Sequence, residues 1–185
     1  MKNPKLASRF AKAIYDFAAE TNSIEVVYQD ILLVQKVIIE NQELKVVLES
    51  PIILEDKKQR IFRQIFRKSL SVTTFLFFSL ILKKRREPQL LMICREFAQK
   101  YYIHHNIKEV HITSAQPLSE EMKQYLKSYI EKGSPYTFIL HFSVNQSLIG
   151  GIIVKVDDLF FDASILTKIN KMKTEFSQNA YTIGF

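Results

Sequence analysis

The sequence predicts an N-terminal six-helix bundle over residues 1–105 and a small α+β domain, sandwich-like in layout, over residues 106–185. Three observations predict it. Through the first hundred residues apolar side chains recur every three or four positions, the spacing of one helix face. Past His104-His105 the period drops to two, the spacing of a half-buried strand. Charge divides at the same place. Residues 1–105 hold 18 Lys and Arg against 11 Asp and Glu, whereas residues 106–185 hold 8 of each, so the whole surplus of seven lies in the first part.

The elements follow in order. Leu6, Phe10, Ala13, Ile14, Phe17 and Ala18 mark a first helix over 5–20. Asn22-Ser23 punctuates, with Ser23 the expected N-cap. Ile24, Val27, Ile31, Val34 and Ile38 carry a second helix to about residue 39. A short third helix spans 42–49 and ends at Ser50, because Pro51 pushes that residue out of the helical region. The fourth, over 55–68, groups Lys58, Ile61, Phe62, Ile65 and Phe66 opposite a basic face. The fifth, 72–83, is apolar nearly all round, so it is either central in a bundle or covered on a second side by a partner. Pro88 separates it from a sixth helix over 89–102. Beyond the hinge, 108–113 alternates as a strand. Pro117-Leu118-Ser119-Glu120-Glu121 opens a helix that stops at Gly133. Phe138, Leu140, Phe142 and Val144 line one face of a second strand and Ile152, Val154 and Val156 a third; Asp157-Asp158 turns the latter into Leu159-Phe160-Phe161, and a last helix spans 164 to about 177.

Composition excludes several classes. The chain has 185 residues, 47% of them hydrophobic and 24% charged, which is globular. A single Cys94 excludes an internal disulfide framework and all-Cys zinc sites. The longest apolar stretch, 70–82, is shorter than the ~20 residues a bilayer span needs, and residues 1–17 show no export signal. The first glycine is Gly133, so neither the Walker pattern nor the dinucleotide fingerprint can be written, and no cofactor is expected. His104, His105 and His111 lack the carboxylate or thiol spacing of a metal set, and no metal is expected. Cys94 sits among apolar neighbours, the pattern of a structural thiol. Asp157, Asp158 and Asp162 fit a turn and a helix start, and no catalytic residue is expected. The basic runs Lys57–Lys68 and Lys83–Arg86 leave open an RNA surface, an anionic membrane surface or an acidic protein partner. Against RNA, the neighbouring aromatics belong to apolar helix faces.

Five segments then carry a resemblance. Arg9-Phe10-Ala11-Lys12-Ala13-Ile14-Tyr15-Asp16-Phe17-Ala18 is similar to "RYAKALFDLA", the opening of the delta subunit of F-type ATP synthases. This is the family of the mitochondrial oligomycin-sensitivity-conferring protein. Leu48 to Ile53 with Lys57-Lys58 resembles that family's "L-x-x-P…K" element, and Phe75-Leu76 through Arg86 to Phe97 its "FL…R…L…F". Thr113 to Ser119 resembles "SA-x-x-LS". Val144 to Gly151 with Asp162-Ala163-Ser164-Ile165 resembles "D-x-S-L-I-G-G…D-G-S-[IV]", with Leu148, Ile149, Gly150, Gly151, Asp162 and Ser164 the matching structural positions. Asn145 and Ala163 depart from the family's usual Asp and Gly.

The resemblance implies a non-catalytic stator subunit at the cytoplasmic face of a bacterial plasma membrane, touching the membrane only through its complex. It implies a bundle that binds N-terminal helices of alpha subunits in a groove between its first and fifth helices. Phe10, Ala13, Ile14 and Phe17 would contribute from one side, Phe77, Leu80, Ile81 and Arg86 from the other. It further implies that the second domain engages the b subunits of the peripheral stalk, and that neither nucleic acid nor a small-molecule substrate is bound.

Overall fold

In the computed structural model, which describes residues 4–179, the chain forms two compact units, Met1–His104 and His105–Phe185. Among the described residues they hold eight α-helices and one mixed four-stranded sheet, an α+β layout.

The first unit is helical: α1 (Pro4–Glu20), α2 (Ile24–Glu40), α3 (Gln42–Glu49), α4 (Glu55–Phe66), α5 (Val72–Lys83), a 3-10 turn at Glu87–Gln89, and α6 (Leu90–His104). Helix α1 packs mainly against α6, and its Ala7, Ala11 and Ala18 are fully buried, small side chains of the kind that allow close helix approach. Tyr15 stacks on His104 with ring centroids 4.8 Å apart and meets Phe97 at 5.8 Å. Asn22, with φ of 50°, turns the chain into α2. Ser23 stands at the N-cap position of that helix, as the sequence predicts, but its side chain makes no cap hydrogen bond. Its hydroxyl lies 2.8 Å from that of Thr21, which occupies it instead.

Helix directions follow from a few contacts. At the start of α2, Tyr28 stacks on Tyr101 at 3.8 Å and Glu25 accepts a 2.8 Å hydrogen bond from the Tyr101 hydroxyl, near the end of α6. Burial, reinforced by Glu25, pushes the Tyr101 phenol up to about 12. At the end of α2, Ile38 lines a small cavity with Leu90 and Leu91 from the start of α6, so α2 and α6 run antiparallel. The Asp30 carboxylate accepts from the Ser71 backbone N–H at 2.9 Å, which fixes the start of α5 beside α2. Helix α5 then ends where the 3-10 turn leads into α6. It therefore runs antiparallel to α6 and also to α1, which follows α6 in direction.

One buried cation ties three segments together. Lys58, on the inward face of α4, donates to the Leu48 carbonyl at the end of α3 (2.9 Å) and to Glu87 Oε1 in the 3-10 turn (2.5 Å). Both side chains are almost wholly buried. The ammonium thus answers a carbonyl left over at a helix end and the charge of Glu87. The sequence pattern placed Lys58 on the apolar face, and the ion pair is why a lysine is tolerated there.

In the second unit, β1 (Ile107–Ser114) is central. It pairs in parallel with β2 (Thr137–Val144) across α7 (Glu120–Glu131), and antiparallel with β3 (Ile152–Val156). Strand β4 (Leu159–Asp162) returns along β3 before α8 (Ile165–Asn179). Val110 and Ile112 are fully buried at the centre. In register on the same face stand Leu140 and Phe142 of β2 and Val154 and Val156 of β3. Helix α7 starts at Ser119, whose hydroxyl accepts from Met122 N–H, and Gly133 past its end adopts φ of +80°.

The segment Leu148–Gly151 is clamped to the start of α8. Gly151 adopts φ of +80°, and a Cβ there would lie 2.2 Å from the Ala163 carbonyl oxygen. A Cβ on Gly150 would meet Ile165 Cδ1 at 2.5 Å, the far end of a side chain that can turn away, whereas Gly151 is required by both its conformation and a backbone contact. Ile149 between them and Leu148 takes φ of +66°, an outlier for a β-branched residue. Asp162 accepts from Ser164 N–H and from the Thr167 hydroxyl, both at 2.8 Å, and buried Ser164 accepts from Thr167 N–H at 3.2 Å. These bonds hold the Asp162 carboxyl below its ordinary value of 3.8. Ala163, the departure from the family pattern, is not among the residues with positive φ.

Two outcomes follow. Lys58→Met strands the Glu87 carboxylate and should cost about 3–5 kcal/mol in urea unfolding, whereas Lys58→Met with Glu87→Leu should recover most of that loss. The folded pKa of Asp162 lies below its unfolded value, so its contribution is present above the unfolded pKa and is lost as pH falls through the folded one. Amide exchange of α8 in the wild type should therefore accelerate as pH falls below the ordinary carboxylate range by more than in Asp162→Asn, once intrinsic rates are divided out.

Candidate functional site

Helix α5 is apolar on two opposite sides. Thr74, Phe78, Ile81 and Leu82 point into the core. Val72, Thr73, Leu76, Phe77 and Leu80 point away from it, and Val72, Leu76 and Leu80 are 76, 61 and 47% exposed. On α1 the row Phe10, Ala13, Ile14 and Phe17 shares one face at helical spacing. The two rows border a cleft of ≈ 430 Å³ lined by these nine residues, none of them charged. Ala13, a single methyl between two phenylalanines, leaves the cleft open along its length.

Six of the eight residues expected from sequence meet there: Phe10, Ala13, Ile14, Phe17, Phe77 and Leu80. Ile81 does not. It is fully buried on the core side of α5, because one position past Leu80 rotates a helical side chain by about 100°. Arg86 is exposed beyond the end of α5 and does not line the cleft. Sequence reasoning missed Val72, Thr73 and Leu76. Their signal was available, since Leu76 precedes Leu80 by four positions and Val72 precedes Leu76 by four.

Other candidate chemistries have local explanations. His104 stacks on Tyr15, and His111 stacks on His141, its register partner across β1 and β2. Cys94 is fully buried, and burial pushes its thiol up to about 12, away from thiolate chemistry. Asp157 adopts φ of 49° in the β3–β4 turn and pairs with Lys108 at 2.9 Å. Among the described residues no group of three or more His, Cys, Asp or Glu is placed to hold a metal. Phe62, Phe66 and Phe78 beside the basic runs are buried, so they offer no stacking platform to bases.

The second unit has its own exposed apolar surface. Leu159, Phe160 and Phe161 on β4 are 64–76% exposed, and Tyr125, Tyr129 and Phe176 on the two helices are similarly open. Its structural motif, Leu148, Ile149, Gly150, Gly151, Asp162 and Ser164, comes together as the clamp described above.

Comparison with known proteins gives the family of the chain. A profile of the ATP synthase delta (OSCP) subunit matches residues 6–176. ATP synthase subunit delta of Cytophaga hutchinsonii is 30% identical over 178 residues, covering 96% of this chain and 97% of the relative. The subunit of the same name from Amoebophilus asiaticus is 32% identical over 180 residues, covering 97% and 98%. A chain in the cryo-EM structure of the Toxoplasma gondii mitochondrial ATP synthase hexamer superposes with a TM-score of 0.72 at 19% identity, covering 92% of this chain and 97% of that one, and so shares the fold. From the match along 6–176 and the near-complete coverage of both delta subunits, the chain belongs to the ATP synthase delta (OSCP) subunit family.

Proposed function

We propose that this protein is the peripheral-stalk subunit that ties the catalytic head of an F-type ATP synthase to its b-subunit stalk. The six helices of the first unit act as one bundle, and the cleft between α1 and α5 takes an amphipathic N-terminal helix of an alpha subunit. The observation that carries this reading is the second apolar face of α5, which its own chain leaves uncovered. Two antiparallel helices with an uncharged furrow between them suit helix-in-groove recognition, in which anchors at i, i+3, i+4 and i+7 fill the furrow. Covering the half-exposed Phe17, Leu76 and Leu80 contributes about 1–2 kcal/mol each, enough to hold a short helix against the cost of association only with several such anchors together.

The C-terminal unit engages the ends of the b subunits through the open apolar side chains of β4, α7 and α8. The subunit performs no chemistry of its own. Held at two places, it resists the torque on the head while the rotor turns, so that ion flow through the membrane sector is coupled to ATP synthesis. No helix among the described residues is long and apolar enough to cross a membrane, and the subunit's attachment to the membrane runs through the complex.

Calorimetry of the full chain with the N-terminal peptide of its alpha subunit checks the assignment. Leu80→Asp puts a charge into the furrow and should weaken binding about 100-fold, near 3 kcal/mol, with an unchanged circular-dichroism spectrum. Phe161→Asp should leave the peptide affinity unchanged and weaken binding of the b subunits. Peptide binding indifferent to Leu80→Asp would remove the groove from the mechanism.

A further inference from the structure

The furrow is uncharged, but its two ends are not alike. We infer that it accepts its helix in one direction, set by charge. The guest turns its acidic end toward Arg9, Lys83 and Lys84, and its basic end toward Asp16 and Glu20. This rests on the groove reading above and adds the charge order of the partner.

Side chains three or four positions apart lie along one edge of a helix. On α1 such a row runs Lys5, Arg9, Ala13, then Asp16 and Glu20, and it changes sign from positive to negative as it passes the furrow. On α5, Lys83 and Lys84 follow Leu80 by three and four positions, so they continue the furrow-facing side to the helix end. Because α1 and α5 are antiparallel, the end of α5 stands beside the beginning of α1. Four cations therefore gather at one mouth of the furrow, and two carboxylates flank the other. All six charged groups are exposed, and none makes an ion pair among the described residues.

The order on α1 also runs against the needs of that helix. A helix favours acids in its first turn and bases in its last. Helix α1 has neither, and it carries its cations early and its acids late. Helices α2, α3, α4 and α7 each place an acid in the first turn. A charge order that disfavours the helix bearing it, on the rim of an uncovered apolar furrow, matches a ligand of the opposite order.

The fitting partner is an amphipathic helix of roughly four turns. The furrow from Phe10 to Phe17 is about 10 Å long at 1.5 Å per residue, and both charged mouths must also be reached. Its apolar stripe enters the furrow, and its acidic and basic residues are segregated to opposite ends.

The test uses the full chain and two designed helical peptides with the same Leu/Ala stripe. One carries Glu near its N-terminus and Lys near its C-terminus; the other has the reverse order. An acceptor dye goes on Thr21→Cys, at the acidic mouth, and a donor on the peptide N-terminus. Cys94 is fully buried and stays unlabelled. The Glu-first peptide should give low energy transfer and the Lys-first peptide high transfer. That difference should vanish or invert in Lys83→Glu/Lys84→Glu, and shrink in about 1 M salt, where screening reaches roughly 3 Å. Equal transfer from both peptides, or a direction unmoved by the double substitution, overturns the charge-set direction while leaving the groove intact. No binding of either peptide, or binding indifferent to Leu80→Asp, overturns the groove reading and this inference with it.

Discussion

A helix of 12 residues that is apolar on opposite sides cannot bury both within a small helical unit, and α5 is such a helix. Its inner side is committed: Phe78 and Ile81 are fully buried, Leu82 nearly so, and Asp30 and Ser71 fix its start. That anchoring is what makes the outer side useful. A loosely held apolar helix would rotate or collapse onto its neighbours, whereas α5 is pinned at its first turn and backed by α4. Its outer row therefore stays open beside Phe10 and Phe17 of α1. The furrow is a consequence of over-determination on one side and incompleteness on the other.

The second unit repeats that logic with different means. Its fully buried side chains are few, chiefly Val110 and Ile112 on the central strand, and much of its aromatic surface stands open. Rigidity comes instead from local backbone devices. Gly151 lies against the Ala163 carbonyl, and Asp162 and Ser164 fix the first turn of α8 by hydrogen bonds. A small unit stiffened in this way can present apolar side chains to a partner without rearranging, which lowers the entropy cost of association.

Much of this was legible in the sequence because periodicity is a strong signal. The bounds of α3, α5, β2 and β3 fall where the apolar spacing puts them. Gly150-Gly151 announced a close approach, and the structure supplies the carbonyl that demands it. Pattern alone failed where a third dimension decides. Ser23 does stand at the N-cap of α2, but its side chain makes no cap bond and its hydroxyl meets that of Thr21 instead. Ile81 and Leu80 are neighbours of equal hydrophobicity, and only the position of the core separates buried from exposed. The partner of Lys58, 29 positions away at Glu87, has no local signal at all.

The proposed surface for the head is the outer row of α5 with the facing row of α1. Hydrogen–deuterium exchange of the full chain, alone and with its alpha/beta head, tests it most directly. Binding at this surface should slow exchange mainly in residues 6–17 and 72–84, with α3, α4 and the C-terminal unit little changed. Protection centred on α3 and α4, with the α1 and α5 segments exchanging as in the free protein, would contradict it.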